Sequence, residues 1–195
     1  MTRYVALLRG INVGGKNKVP MPELRSLFVR LGHEDVATYV QSGNVIFNSR
    51  SSSPKKVMAD VERGIAETFD LRVSVLLRSE REMEQIAARN PFITQGAELA
   101  RLHAMFLGNA PAQEVIKTLD PDRSPPDKFE VIGREVYLLY PNGSGRSKLT
   151  IDYFEKKLGA SATARNWNTV TKVLQLMGGK RRLEQGEGAS RRRPR

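Results

Sequence analysis

Ala37-Thr38-Tyr39-Val40-Gln41-Ser42-Gly43-Asn44-Val45-Ile46-Phe47-Asn48 is the stretch on which the reading of the fold turns. Residues 37–41 and 45–48 are β-rich runs, and Ser42-Gly43-Asn44 separates them. That pattern signals a β-hairpin. Helical segments lie on both sides of it. Upstream, Pro20 and Pro22 favour a helix start, and Leu24, Leu27, Phe28 and Leu31 recur at helical spacing until Gly32. Downstream, Pro54 opens a helix that sets Val57, Val61, Ile65 and Phe69 on one face. Residues 3–9 form an apolar run of the kind found in buried central strands, and residues 73–77 read as another strand. Strand, helix, hairpin, helix, strand is the ferredoxin-like split βαβ order.

The order then returns. Residues 102–107 read as a strand, and Pro111 opens a helix with Val115, Ile116 and Leu119, closed by Asp120-Pro121. Residues 129–132 and 136–140 make a hairpin across Gly133-Arg134. A helix over 147–158 turns Ile151, Phe154 and Leu158 inward, and 161–165 is a short last strand. A final helix over 167–177 carries Val170, Leu174 and Met177 and should stop at Gly178-Gly179. Between the halves, Ser79-Glu80-Arg81-Glu82 is a capping box opening a helix with Met83, Ile86 and Ala87. Asn90-Pro91 ends it, and 92–100 reads as a connector.

The expected fold is therefore α+β, two tandem ferredoxin-like βαββαβ subdomains joined by a helix, with a C-terminal helix and a disordered basic tail. The divisions fall at 1–78, 79–101, 102–179 and 180–195. The halves share element order and little residue identity.

At 195 residues, 39% apolar and 27% charged, the chain can bury a real core. No run of 18 apolar residues occurs, and Arg3 is followed by five apolar residues before Arg9, which is not a signal pattern. There is no cysteine, so disulfides, thiol chemistry and thiolate metal sites are excluded. A cytoplasmic protein without membrane contact is the expectation. Of the net charge of +11, residues 180–195 carry seven cations against two anions. That arm is either a solubilising end or a non-specific phosphate-binding segment.

Four polar stretches are candidates for chemistry. The first, Arg9-Gly10-Ile11-Asn12-Val13-Gly14-Gly15-Lys16-Asn17-Lys18, has almost nothing apolar to bury and offers backbone N–H groups and positive charge. Gly10 to Lys16 fits G-x-x-x-x-G-K, in which N–H groups ring a phosphate. Asn17 stands where a magnesium-binding Ser or Thr is needed, and Val19-Pro20-Met21-Pro22 delays the helix that should begin at once. An anion-binding nest and an ordinary glycine-rich turn are the two remaining readings. The second stretch is the turn Ser42-Gly43-Asn44, either a neighbour of the first loop or a turn chosen for its backbone alone. The third, ending in Arg146-Ser147-Lys148, enters a helix and either holds an anion at its N-terminus or is a flexible turn with a cap. The fourth is Arg165-Asn166-Trp167-Asn168. Asn166 fits an N-cap, and the sole tryptophan belongs in the core or offers a stacking face for a base.

Catalytic constellations are missing. His33 and His103 lack metal-ligand spacing, and no nucleophile elbow occurs. No catalytic residue, metal or cofactor is expected.

Three motifs carry a family resemblance. Tyr4 through Asn17 with Met21-Pro22-Glu23-Leu24, Tyr39 through Phe47, and Arg165 through Lys172 resemble the hallmarks of the bacterial domain-of-unknown-function 1697 family. The resemblance covers nearly the whole chain outside the basic tail. It implies two ferredoxin-like subdomains and leaves the function open. The expectation from the residues is a protein binding a phosphorylated or polyanionic ligand, a nucleotide or nucleic acid. The alternatives are an enzyme acting on a small phosphorylated substrate and a protein-interaction module.

Overall fold

The run at the N-terminus forms strand β1 (Thr2–Leu8), whose residues from Tyr4 onward are buried on both faces. Continuous burial is why the run lacks polar alternation. In the computed structural model, which describes the backbone of residues 1–189 and the side chains of residues 1–178, β1 is followed by α1 (Met21–Arg30), β2 (Glu34–Tyr39), β3 (Asn44–Ser49), α2 (Pro54–Phe69) and β4 (Val75–Ser79). The junction consists of α3 (Glu80–Ala88) and the short α4 (Pro91–Thr94). The second round is β5 (Leu102–Leu107), α5 (Gln113–Ile116), β6 (Lys128–Ile132), β7 (Glu135–Leu139), α6 (Ile151–Leu158), β8 (Ala162–Asn166) and α7 (Trp167–Ala189).

The strands make two four-stranded antiparallel sheets, ordered β2-β3-β1-β4 and β6-β7-β5-β8. Both have the ferredoxin-like order, first and third strands central.

Three apolar clusters fill the spaces between layers. On one face of the first sheet, Tyr4, Ala6 and Leu8 meet Leu24 and Phe28 of α1 and Val57 and Val61 of α2. The outer face of the second sheet, with Met105, Leu107 and Leu138, is covered by Phe154 and Leu158 of α6. The third cluster lies between the sheets. It joins Val5, Leu7, Ile46 and Leu76 to Ala104, Phe106 and Tyr137, with Met83 and Ile86 of α3 and Val170 and Val173 of α7. Each fully buried side chain of this size contributes roughly 1.5–3 kcal/mol. The shared cluster therefore binds the two sheets strongly.

Several elements depart from the sequence reading. The helix after Pro111 is a single turn, because its bonds change from Lys117 N–H to Gln113 O into the tighter Thr118-to-Val115 and Leu119-to-Ile116 pattern. That tightening ends the α-helix and lets Leu119 into the core. Helix α6 starts at Ile151, not 147, with Thr150 Oγ1 accepting the Tyr153 N–H at 3.2 Å. Ser147 Oγ instead accepts the Leu149 N–H at 3.0 Å, a local bond that competes with helix formation. Strand β4 begins two residues later than expected and takes in Arg78 and Ser79.

Helix α7 runs through Gly178-Gly179 to Ala189. A glycine costs about 1 kcal/mol in a helix without forbidding it. Of the tail read as disordered, residues 180–189 thus belong to α7, and residues 190–195 lie outside the described residues. Among the described residues no helix is long and apolar enough to cross a membrane.

Candidate functional site

The glycine-rich segment after β1 is a small hairpin. Lys16 N–H donates to Val13 O at 3.0 Å and Asn12 N–H to Asn17 O at 3.1 Å, with Gly14 and Gly15 at the turn. Both glycines have positive φ, 58° and 75°, as a two-residue type I′ turn demands. Asn12 (φ 54°) and Asn17 (φ 49°) take left-handed conformations that asparagine tolerates best after glycine. Their side chains bind the hairpin down. Asn12 Nδ2 donates to Val19 O at 3.0 Å and Gln41 O at 2.9 Å, while its Oδ1 accepts the Val19 N–H at 2.8 Å. Asn17 Nδ2 donates to Gly10 O at 2.9 Å. The amides counted as ligand groups are therefore anchors. Lys16 does not open a helix, since α1 starts only at Met21.

The Asn12–Gln41 bond brings the first loop to the turn between β2 and β3. Gly43 O accepts the Leu8 N–H at 2.9 Å, and Asn44 Nδ2 donates to Tyr39 O and Ser42 Oγ. Val40, between the carbonyls of Tyr39 and Gln41, is held at φ 49° although it is β-branched and 48% exposed. Such a conformation persists where its surroundings over-determine it.

Arg165 converges on the same place and is buried. Its Nε donates to Asn44 Oδ1 at 2.6 Å, and its Nη2 to Leu8 O (3.0 Å) and Ser42 O (2.8 Å). Its Nη1 donates to Thr163 Oγ1 and Ala164 O, both at 2.8 Å. Burial pushes its pKa down to about 10. This guanidinium is spent on protein acceptors. Arg9 is likewise engaged, its Nη2 lying 2.5 Å from Glu155 Oε2 and 3.8 Å from Asp152 Oδ1 on α6. Asn166 caps α7 as expected, Oδ1 accepting the Thr169 N–H at 2.8 Å. Asn168 is exposed. Trp167 is 1% exposed and packs at 6.3 Å from the Tyr137 ring, so it offers no stacking face.

The Arg146-Ser147-Lys148 stretch is not joined to this group. Lys148 N–H donates to Ser124 Oγ and Lys148 O accepts from Arg123 Nε, both at 3.1 Å. With α6 starting at Ile151, the two exposed cations do not flank a helix N-terminus. His33 and His103 are partly buried, and desolvation lowers both pKa values, with Asp60 opposing at His33. No group of acidic or histidine side chains among the described residues is arranged to hold a metal ion.

The sequence reading missed Arg78, which is 1% exposed on β4. Its Nε donates to Glu135 Oε1 at 2.8 Å, Nη2 to Leu107 O (2.9 Å) and Arg134 O (3.1 Å), and Nη1 to Leu77 O (2.9 Å). Burial lowers its pKa, with Glu135 opposing. The arrangement repeats that of Arg165 in its main contacts, although Arg78 has no counterpart of the Thr163 bond. Each arginine is the penultimate residue of its unit's fourth strand and is followed by a helix N-cap, Ser79 or Asn166. Each reaches the last residue of the other unit's first strand, Leu107 or Leu8. Each Nε meets the first residue of the other unit's third strand, Glu135 or Asn44. The visible signal was an arginine ending an apolar run directly before a cap, once in each half.

Comparison with known proteins agrees with this architecture. A conserved bacterial protein, SP0830 from Streptococcus pneumoniae, superposes with a TM-score of 0.71 at 27% identity, over 90% of this chain and 98% of that one. No curated protein matches the chain. The model of a protein family of unknown function, DUF1697, matches residues 1–137. With well over half of its length matched, the chain belongs to the DUF1697 family.

Proposed function

We propose that the glycine hairpin binds an extended polyanion, a nucleic-acid backbone, through Lys16, Lys18 and the N–H groups of Gly14 and Gly15. One observation carries the reading: residues 13–18 are six consecutive exposed residues, held in one conformation by Asn12 and Asn17. The Gly14 and Gly15 N–H groups donate to no acceptor among the described residues, and neither lysine has an ion-pair partner there. A protruding, pre-ordered tip suits a chain of phosphates that passes across it, and its order is already set before binding. Arg9 and Arg165, which serve the fold, are not part of this surface.

The test is fluorescence anisotropy of a labelled single-stranded oligonucleotide over a series of salt concentrations. Affinity should fall with salt, and Lys16→Ala should reduce the slope of log K against log salt by about 0.7, the loss of one phosphate contact. The comparison is repeated without residues 180–195, so that the basic tail does not mask the hairpin. An unchanged slope in both backgrounds would show that the hairpin does not bind nucleic acid.

A further inference from the structure

Helix α3 and the turn between β6 and β7 enclose a cleft of about 210 Å³. A smaller one of about 100 Å³ borders it, and the ion pair of Arg134 with Glu82 lines both. The two clefts draw three guanidinium groups, those of Arg78, Arg89 and Arg134, and two carboxylates, those of Glu82 and Glu135. Both carboxylates are already matched. Glu135 accepts from Arg78 and Glu82 from Arg134, and Ser79 also donates to Glu82 through its N–H and hydroxyl, each at 2.7 Å. These donors and Arg134 outweigh the effect of burial and hold the Glu82 carboxyl below its usual range. Arg89 has no ion-pair partner among the described residues. The larger cleft thus ends on one uncompensated positive charge.

Its walls are chemically divided. Gln85 lies four residues before Arg89, so the exposed amide and the guanidinium share a face of the α3 end. Across from α3, Ile132 at the end of β6 is a partly exposed apolar residue, and the buried Ile86 and Tyr137 also line the cleft. The Tyr137 hydroxyl donates to Ile86 O at 3.0 Å and the residue is buried, so it adds no polar group to the cleft. A planar guanidinium pairs with a carboxylate through two parallel hydrogen bonds.

We propose that this cleft is a binding site for a small carboxylate with a short apolar arm. The carboxylate pairs with Arg89 and receives the Gln85 amide, and the arm lies against Ile132. The site is independent of the glycine hairpin.

Butyrate is the probe, titrated at low salt into the isotopically labelled full chain, with butyramide as the uncharged control of the same shape. Butyrate should give saturable shifts centred on Gln85, Arg89 and Gly133, and butyramide none. Arg89→Gln replaces an unpaired exposed side chain, so the fold is retained. It should weaken butyrate by at least about tenfold, or 1.4 kcal/mol. Lys16→Ala should leave the affinity unchanged, which separates this site from the hairpin. Absence of saturable shifts, equal binding of butyramide, or unaltered binding by Arg89→Gln would overturn the proposal.

Discussion

At the residue scale, the exposure of a cation decides what it does. Arg9, with a side chain 40% exposed, and Arg165, 7% exposed, both belong to polar stretches of similar composition. An exposed ion pair contributes at most about 1 kcal/mol, because water and salt screen it. A buried guanidinium that satisfies several carbonyls is different, since its removal leaves each acceptor without water or partner at about 1–3 kcal/mol apiece. Arg165→Met should therefore destabilise the protein by at least about 3 kcal/mol in urea denaturation. Arg9→Ala should cost less than about 1 kcal/mol. Arg165→Lys should recover only part of the loss, because one ammonium cannot replace a fork that reaches Asn44, Leu8 and Ser42 together. Equal costs for the Arg9 and Arg165 variants would contradict the assignment of Arg165 as the buried clamp.

At the element scale, the two glycine-containing turns look alike in sequence and do different work. Gly15 has φ +75° with open space around the position a Cβ would take. Gly43 has φ +77°, and a Cβ there would lie 2.8 Å from Leu8 Cβ and 2.9 Å from the Ile11 side chain. Gly15→Ala should cost only the left-handed strain, about 1–2 kcal/mol. Gly43→Ala adds a clash in a packed core and should cost about 3 kcal/mol or more. Thermal unfolding of the two variants measures the difference, and similar losses would show that Leu8 and Ile11 yield easily. The short α5 and the late start of α6 belong to this scale too. Their expected lengths came from apolar spacing, and local hydrogen bonds by Ser147 and the tightening at Thr118 and Leu119 prevailed over it.

At the scale of the whole molecule, the two sheets share one cluster. Val5, Leu7, Ile46, Leu76, Met83 and Ile86 from residues 1–101 are buried in it together with residues of the second round, Trp167 among them. Exposing that face removes its hydrophobic stabilisation, and loss of the second unit also strips Arg78 of Glu135, Leu107 and Arg134. The full chain should unfold in one transition, with Trp167 fluorescence and far-ultraviolet circular dichroism coincident. Residues 1–101 alone should show no cooperative transition. Two separated transitions in the full chain, or a cooperative fragment, would mean that each unit is stable by itself.

Local information sufficed for the element order. Hairpin residues, helix caps and apolar spacing act over a few positions, so the two βαββαβ rounds, the Ser79 capping box and the Asn166 cap were legible in the chain. The roles of the polar stretches were not. Whether Asn12, Asn44, Arg165 and Trp167 face a ligand or the protein depends on acceptors and neighbours up to more than a hundred residues away. The equivalence of Arg78 and Arg165 is of the same kind, since the two clamps touch different residue types, Glu135 and Asn44, at matching places. Tertiary structure alone decided that the conspicuous amides and buried cations hold the molecule together, while Lys16, Lys18 and Arg89 are among the exposed cations without an ion-pair partner among the described residues.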